Sequence, residues 1–458
     1  MANNNVGATA VPGDELRVLV ENAEYWLNNR GDLAMMHTTV ERLRARWPNA
    51  RVGVLTYQPV LLRALVPGAE PVSYRRGGDW ARDRWHHRLP QLAGPRVVGP
   101  PVAAWRAATE EPRRRLRTVR RVVRARLGAG DGSAVVPAGD STAVSVVAGL
   151  PRVPAAARSA SLVVALGGGY MTDGDLYQAH RTLNLLEHAI SLGIPTAMVG
   201  QGIGPMEDPL LMRRAAEVLP RVGFIALREG RRGGELLARL GVAADSVLVT
   251  GDDAVEFGYR MRRDATGSDI GVCLRIAAYT SVDAPARDTV GRVVRSFAAR
   301  VNAGLVPLIV SEEGAEDRRS TLPLLNGFAR SRPVIGRFGS ASELAEQIAG
   351  CRLLVTGAYH AAVFALAQGI PVVGLSASRL YNDKLYGLAE MFGGGLTVVH
   401  LDGEQLEETL TNTMRELWDE GPDLRVPLQA KALAQVAASR AGFDRIFRLV
   451  ESGRGRTP

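Results

Sequence analysis

The chain reads as an α/β protein built from two doubly wound parallel-sheet domains that face a central cleft. Three observations predict this. Short runs rich in Val, Ile and Leu recur along the 458 residues, as strands buried on both faces require. Amphipathic stretches such as LLMRRAAEVLPRV and GELLARLG separate most of these runs, and strand–helix alternation favours parallel sheets with right-handed crossovers. A polar break, Arg262-Arg263-Asp264-Ala265-Thr266-Gly267-Ser268, divides the runs into two series.

In the first series the apolar runs fall at 17–26, 51–59, 161–170, 194–205, 223–230 and 246–254; in the second, at 269–276, 305–313, 351–360 and 371–377. The expected organisation is a first α/β domain over 1–261, a second over 269–430, and a C-terminal helix over 431–458 that crosses back onto the first. Residues 75–160 interrupt the first domain. They hold PRRRLRTVRRVVRARLG, whose helical spacing predicts a strongly basic helix, and then a Gly/Ala/Ser/Pro-rich tract from Gly128 to Pro154. The Arg run is read either as a solvated charged face or as a contact for anionic lipid or polymer.

Ligands of open α/β sheets bind beyond the carboxyl ends of the strands, so the residues after each run are the candidates. Asn29, Arg30, Gly31 and Asp32 follow the first; Asp32 suits either a helix cap or a substrate hydroxyl. Gly167, Gly168 and Gly169, ahead of Tyr170 and Asp173, let backbone N–H groups approach a ligand with no Cβ in the way, or make a plain tight turn. Gln201 and Gly202 sit in GQGIGP, where the amide serves sugar or phosphate oxygens, or loop carbonyls. Arg228 ends the next run and can hold a phosphate or carboxylate bidentately, or pair with an acid. Asp252 and Asp253 are adjacent, a geometry that sends neighbouring side chains apart and argues against a shared metal. Arg275 ends the first run of the second series. The most informative stretch is LLVTGAYH followed by AAVFALAQGIPVVGL: a strand, a turn at Gly357, then His360 at a helix N-terminus, where anions are attracted and an imidazole can exchange a proton near neutrality. Lys384 lies one helix further on.

Composition narrows the partners. A net charge of +9, with Arg far outnumbering Lys, favours anionic ligands. Aromatic residues make up only 5% and no RNA-binding or zinc-knuckle pattern occurs, so nucleic acid is not favoured. Cys273 and Cys351 stand alone among apolar neighbours, giving no disulfide framework and no metal spacing. No metal and no cofactor is assigned. The polar N-terminus lacks a signal-peptide layout, and no apolar run approaches the roughly 20 residues of a membrane span. The expectation is a cytoplasmic protein whose membrane contact, if any, is peripheral at the inner face.

Taken in order, Asn29-Arg30-Gly31-Asp32, GGGYMTD at 167–173, GQGIGP at 200–205, LREG at 227–230, TGDDA at 250–254, GAYH…FALAQGIPVVGL and Lys384 resemble the polysaccharide pyruvyl transferase family from about residue 17 to 400, outside the 75–160 insertion. The resemblance implies a GT-B-like fold and transfer of a pyruvyl group from phosphoenolpyruvate to hydroxyls of a saccharide of the cell envelope, giving a pyruvate ketal. It implies that His360 is the general acid or a phosphate ligand, and that Arg228, with Gly357, Arg275 and Lys384, holds the anionic donor. The acceptor side falls to Asn29, Asp32, Gly167, Gly168, Gly169, Asp173, Gln201 and Gly202. The sequence departs from the family at Ala358, two residues before the histidine, where the family usually has Arg. Either Arg275, Arg379 or Lys384 supplies that charge, or the donor differs. The competing readings are a GT-B-like transferase with a nucleotide-activated donor, and a catalytically silent binding protein. Self-association as a homo-oligomer stays open.

Overall fold

A computed structural model describes residues 15–73, 78–80, 88–106, 108, 150, 152–276, 282–377 and 379–454. The Arg-rich run and most of the Gly/Ala-rich tract lie outside the described residues, as do Ser378 and the side chain of Arg379.

Thirteen described strands form two wholly parallel sheets. The first holds β1 (Arg17–Glu21), β2 (Arg51–Thr56), β3 (Glu70–Ser73), β4 (Leu162–Ala165), β5 (Gly168–Met171), β6 (Thr196–Ile203), β7 (Phe224–Leu227) and β8 (Val247–Val249), in the order β3-β2-β1-β4-β6-β7-β8 with β5 paired to β6. The second holds β9 (Asp269–Cys273), β10 (Leu305–Pro307), β11 (Cys351–Thr356), β12 (Val372–Ser376) and β13 (Leu396–His400), in the order β10-β9-β11-β12-β13. Each sheet changes winding direction once, between β1 and β4 in the first and between β9 and β11 in the second. Those are the points where open sheets leave a crevice at the strands' carboxyl ends.

Three strands escape the apolar-run reading, each for a physical reason. β3 contains Pro71, which cannot donate to a ladder and is tolerated because β3 is an edge strand. β5 is two glycines, Tyr170 and Met171, and reads as a turn until β6 pairs with it. β13, the other sheet's edge, follows Gly393, Gly394 and Gly395, all at positive φ.

The helices pack as three layers. One apolar cluster lines the outer face of the first sheet, another the outer face of the second, and a third runs unbroken between the sheets. This central core takes Leu33, Met35, Met36 and Val40 from α1 (Arg30–Arg46), Ala254 and Val255 from helix Ala254–Arg260, and all of Ala361–Ala367 from helix Tyr359–Ala367. That last helix has no polar face, as a helix buried all round requires.

The C-terminal helix differs from expectation. It runs from Leu406 to Arg454, starting well before residue 431 and continuing through Pro422 and Pro427. Prolines inside a helix cost hydrogen bonds. Packing overrides that cost, because the helix lies against β6 and β7 of one sheet and β11, β12 and β13 of the other.

Candidate functional site

The loops after β1, β4, β7, β9 and β11 converge on one cavity of about 210 Å³. Its construction begins at Asn29, whose side chain accepts from Gly31 N–H at 2.9 Å and caps α1. The cap is therefore Asn29, which frees the Asp32 carboxylate in the first turn to face the cavity. Arg30 points the other way. Its guanidinium donates to the carbonyls of Ile309, Gly336, Arg337 and Gly339 and to Glu312, and its own N–H donates to Val310 O. This 2%-exposed side chain ties α1 to the second half.

His360 sits in the first turn of helix Tyr359–Ala367, packed on Gly31 so closely that a Cβ there would lie 2.0 Å from its Cγ. Its Nε2 is buried without a hydrogen-bond partner, 3.8 Å from Asp252 Oδ2 and 4.0 Å from Asp32 Oδ1. The N-cap of this helix is Ala358, which offers no side-chain cap to the first-turn N–H groups facing the cavity.

Three cations share the space. Arg228 is buried, lies 4.2 Å from the Tyr359 ring centre, and approaches Asp252 at 4.0 Å. It fits only because Gly202 has no Cβ; one would come within 2.7 Å of Nε and Nη2. Gly169 similarly accommodates Arg228 and Lys384, whose Nη2 and Nζ would be 3.0 and 3.2 Å from its Cβ. Arg275 reaches in from the end of β9, paired with Glu316 at 3.3 Å and Asp317 at 3.4 Å.

Crowding sets the protonation states. Burial, then Arg228, Arg275 and Lys384, push His360 down to about 3. Burial, then Arg228 and Arg275, bring Lys384 down to about 7. The carboxylates move up: Asp32 to about 8 through burial, then Glu24 and Asp252; Glu24 to about 7 chiefly through burial; Asp252 to about 6 through burial, against the pull of Arg228. A bound anion offsets the part of the first two shifts that the cationic neighbours cause, because it favours a charged imidazole and ammonium.

Of the residues singled out in the sequence, Asn29, Asp32, Gly168, Gly169, Arg228, Arg275, His360 and Lys384 line this cavity. Gly202 borders a smaller pocket that continues past Arg228 and Lys384 toward Arg231, Arg232 and Asp383. Four others are not among the lining residues. Gln201 donates its amide to Ala165 O, Leu166 O and the Tyr170 hydroxyl and is fully buried. Asp173 accepts from the N–H groups of Glu207 and Asp208. Gly167 packs on the carbonyls of Val199 and Gly200. Gly357 joins β11 to β9 by donating to Cys273 O. Each shapes a loop of the site without reaching the cavity.

Glu24, Thr172, Asp175 and Tyr359 belong to the site and were not singled out. Asp252 was weighed only as a metal ligand. The rule that adjacent side chains diverge was its signal: Asp252 turns to Arg228 and His360, Asp253 to Arg42 and Ser439.

A family model described as polysaccharide pyruvyl transferase matches residues 29–379. Among solved structures, the chain is similar to S. aureus MnaA in a co-structure with UDP, at 11% identity and a TM-score of 0.52, covering 95% of this chain and 97% of that one. It is also similar to UDP-GlcNAc 2-epimerase from Neisseria meningitidis bound to UDP-GlcNAc, at 10% identity and a TM-score of 0.51, covering 92% and 99%. These likenesses are of fold, and the fold is GT-B-like. No curated protein sequence matches the chain.

Proposed function

Since the chain belongs to the polysaccharide pyruvyl transferase family, and is thereby a transferase, we propose that it moves a pyruvyl group from phosphoenolpyruvate to two hydroxyls of a saccharide or glycoconjugate. The observation that carries this reading is the meeting of Arg228, Arg275 and Lys384 with His360 around one cavity. Phosphoenolpyruvate carries a phosphate and a carboxylate, and its enol carbon must be protonated. A cluster of cations beside a proton donor meets both needs.

The donor's charges fall to Arg228, Arg275, Lys384 and the uncapped N–H groups at the start of helix Tyr359–Ala367. Their neutralisation raises the basicity of His360, so that the imidazole takes a proton as the donor binds. His360 then gives that proton to the methylene carbon, which becomes a methyl group, while positive charge develops at the neighbouring carbon. An acceptor hydroxyl adds to that carbon. The ionised form of Asp32, 4.0 Å from Nε2, takes the hydroxyl's proton. The C–O bond to phosphate breaks, inorganic phosphate leaves with the proton that Asp32 took, and the second hydroxyl closes the ketal as its proton passes to His360. Asn29, Gly168 and Gly169 border the acceptor. Among the described residues no helix is long and apolar enough to cross a membrane; the reading sets the reaction in the cytoplasm, on envelope saccharides.

The test is calorimetric titration of the protein with phosphoenolpyruvate, beside UDP-, GDP- and CMP-sugars, repeated with Arg228→Ala and Arg228→Lys. Phosphoenolpyruvate binds, Arg228→Ala weakens it more than about tenfold, the loss of one charge-assisted contact of about 1.5–3 kcal/mol, and Arg228→Lys weakens it less. Binding of a nucleotide sugar alone refutes the ketal chemistry and favours a nucleotide-activated donor.

A further inference from the structure

Among the described residues, four strongly exposed apolar side chains gather on residues 88–106. Leu92 is 81% exposed, Trp105 72%, Val97 65% and Leu89 51%. They belong to α3 (Leu89–Ala93) and to helical residues 95–106. Along the second helix the exposed positions are Arg96, Val97, Pro100, Pro101, Ala104 and Trp105, a stripe with helical spacing that is apolar apart from Arg96. α2 (Pro59–Leu65), which packs against α3, adds Val60, 44% exposed.

This stripe is held rigidly. Gly99 rests on Phe338, where a Cβ would come within 2.2 Å of the ring, and Arg96 pairs with Glu343 at 2.7 Å. At the far end the Arg106 guanidinium stacks 3.8 Å from the Trp26 ring centre, in the loop after β1 whose neighbour Ala23 lines the cavity. The docked face is thus used up by the protein itself, and the opposite, apolar face looks outward.

Charge identifies what covers it. Residues 88–108 carry Arg88, Arg96 and Arg106 and no acidic residue, and along the sequence residues 109–128 add eight arginines against Glu110 and Glu111. An apolar stripe with a tryptophan, in a sequence stretch of strong net positive charge, matches the two halves of a bilayer interface: acyl chains for the stripe and anionic headgroups for the cations. A second copy of the same surface would set arginines against arginines, which opposes self-association.

We propose that residues 88–106 dock the protein on anionic lipid bilayers through Leu89, Leu92, Val97 and Trp105. This surface is independent of which donor the cavity takes, and it does not rest on the transfer chemistry.

The test is co-sedimentation of the full chain with vesicles of phosphatidylcholine, or of phosphatidylcholine and phosphatidylglycerol in equal parts. The mixed vesicles bind the protein and the neutral ones bind at least about tenfold less. The double variant Leu92→Ser/Trp105→Ser, exposed at both sites and so expected to keep its unfolding midpoint, loses at least about tenfold of the binding to mixed vesicles. Brominated lipid quenches part of the tryptophan fluorescence, and that part disappears in Trp105→Phe. Failure of the native chain to bind mixed vesicles overturns the proposal. So does undiminished binding by the double variant, which assigns membrane contact to the arginines alone. So does a dimer that the double variant abolishes without any vesicle binding, which assigns the stripe to a second copy.

Discussion

Replacing Gly31 by Ala separates the stability of this fold from its chemistry. Gly31 lies in the first turn of α1 at a negative φ, so Ala fits its backbone without strain. In an open helix the change would be favourable by about 1 kcal/mol. Here the new Cβ would stand 2.0 Å from Cγ, 2.2 Å from Nδ1 and 2.4 Å from Cβ of His360. Ordinary contact begins at 3.4 Å, so the imidazole must move by about 1.4 Å. Neither backbone has room to give way: helix Tyr359–Ala367 is buried along its whole length, and Arg30 clamps the start of α1 to the second half. The ring must rotate out of its place between Asp32 and Asp252. Overpacking of this kind costs about 1–3 kcal/mol, partly offset by the helix term, so the protein stays folded. A displacement of about 1 Å at a reacting group costs on the order of a hundredfold in rate. Arg228, Arg275 and Lys384 stand on other elements, so donor affinity changes much less than turnover. The assay measures inorganic phosphate released from phosphoenolpyruvate with a saccharide acceptor, alongside calorimetric donor affinity and the unfolding midpoint. A folded Gly31→Ala protein with the native turnover refutes the assignment of His360 to the chemistry.

Two further outcomes follow from the same geometry. Lys384 sits at about 7, Glu24 at about 7 and Asp32 at about 8, and each loses a proton as pH rises, making the cavity more negative. The affinity for phosphoenolpyruvate therefore falls about tenfold or more between about pH 6 and pH 8, while Lys384→Arg, which keeps its charge, falls less steeply; calorimetry across that range checks this, and affinity that rises with pH contradicts it. Arg30→Met strands the carbonyls of Ile309, Gly336 and Gly339 in the seam between the halves, and denaturant unfolding should register a loss of about 3–5 kcal/mol, as for breaking one partner of a buried ion pair; a change under about 1 kcal/mol means that the seam hydrates freely.

The strand ladder was legible because parallel strands buried on both faces leave an unmistakable apolar run. Where burial is partial or glycine carries the backbone, the signal fails, as in β3, β5 and β13. The same division holds in the site. His360, Arg228 and Lys384 could be read because each is a charged or titratable residue just beyond a strand or in the following helix. Gln201 and Asp173 carry the same kind of signal, yet their side chains are spent on loop N–H and C=O groups that sequence does not display. Glu24 is the converse. Nothing in ENAEYW marks it, and it enters the site only because the loop after β1 folds over the crevice beside Asp32.

The glycines before Arg228 and Lys384 explain how the site tolerates Ala358. An arginine at that position would bring one more cation to the start of helix Tyr359–Ala367. In its place, Gly202 and Gly169 let two long cationic side chains reach across from the opposite half and from the helix after β12, and Arg275 enters from the neighbouring strand β9. Charge at this cavity is thus set by which strand ends have room for a cation rather than by the residue next to the histidine. The cost is visible in His360 and Lys384, both held down by burial and then by their cationic neighbours. That same mutual repulsion gives an arriving dianion its hold: it relieves three crowded cations at once and hands the imidazole the proton that the chemistry needs.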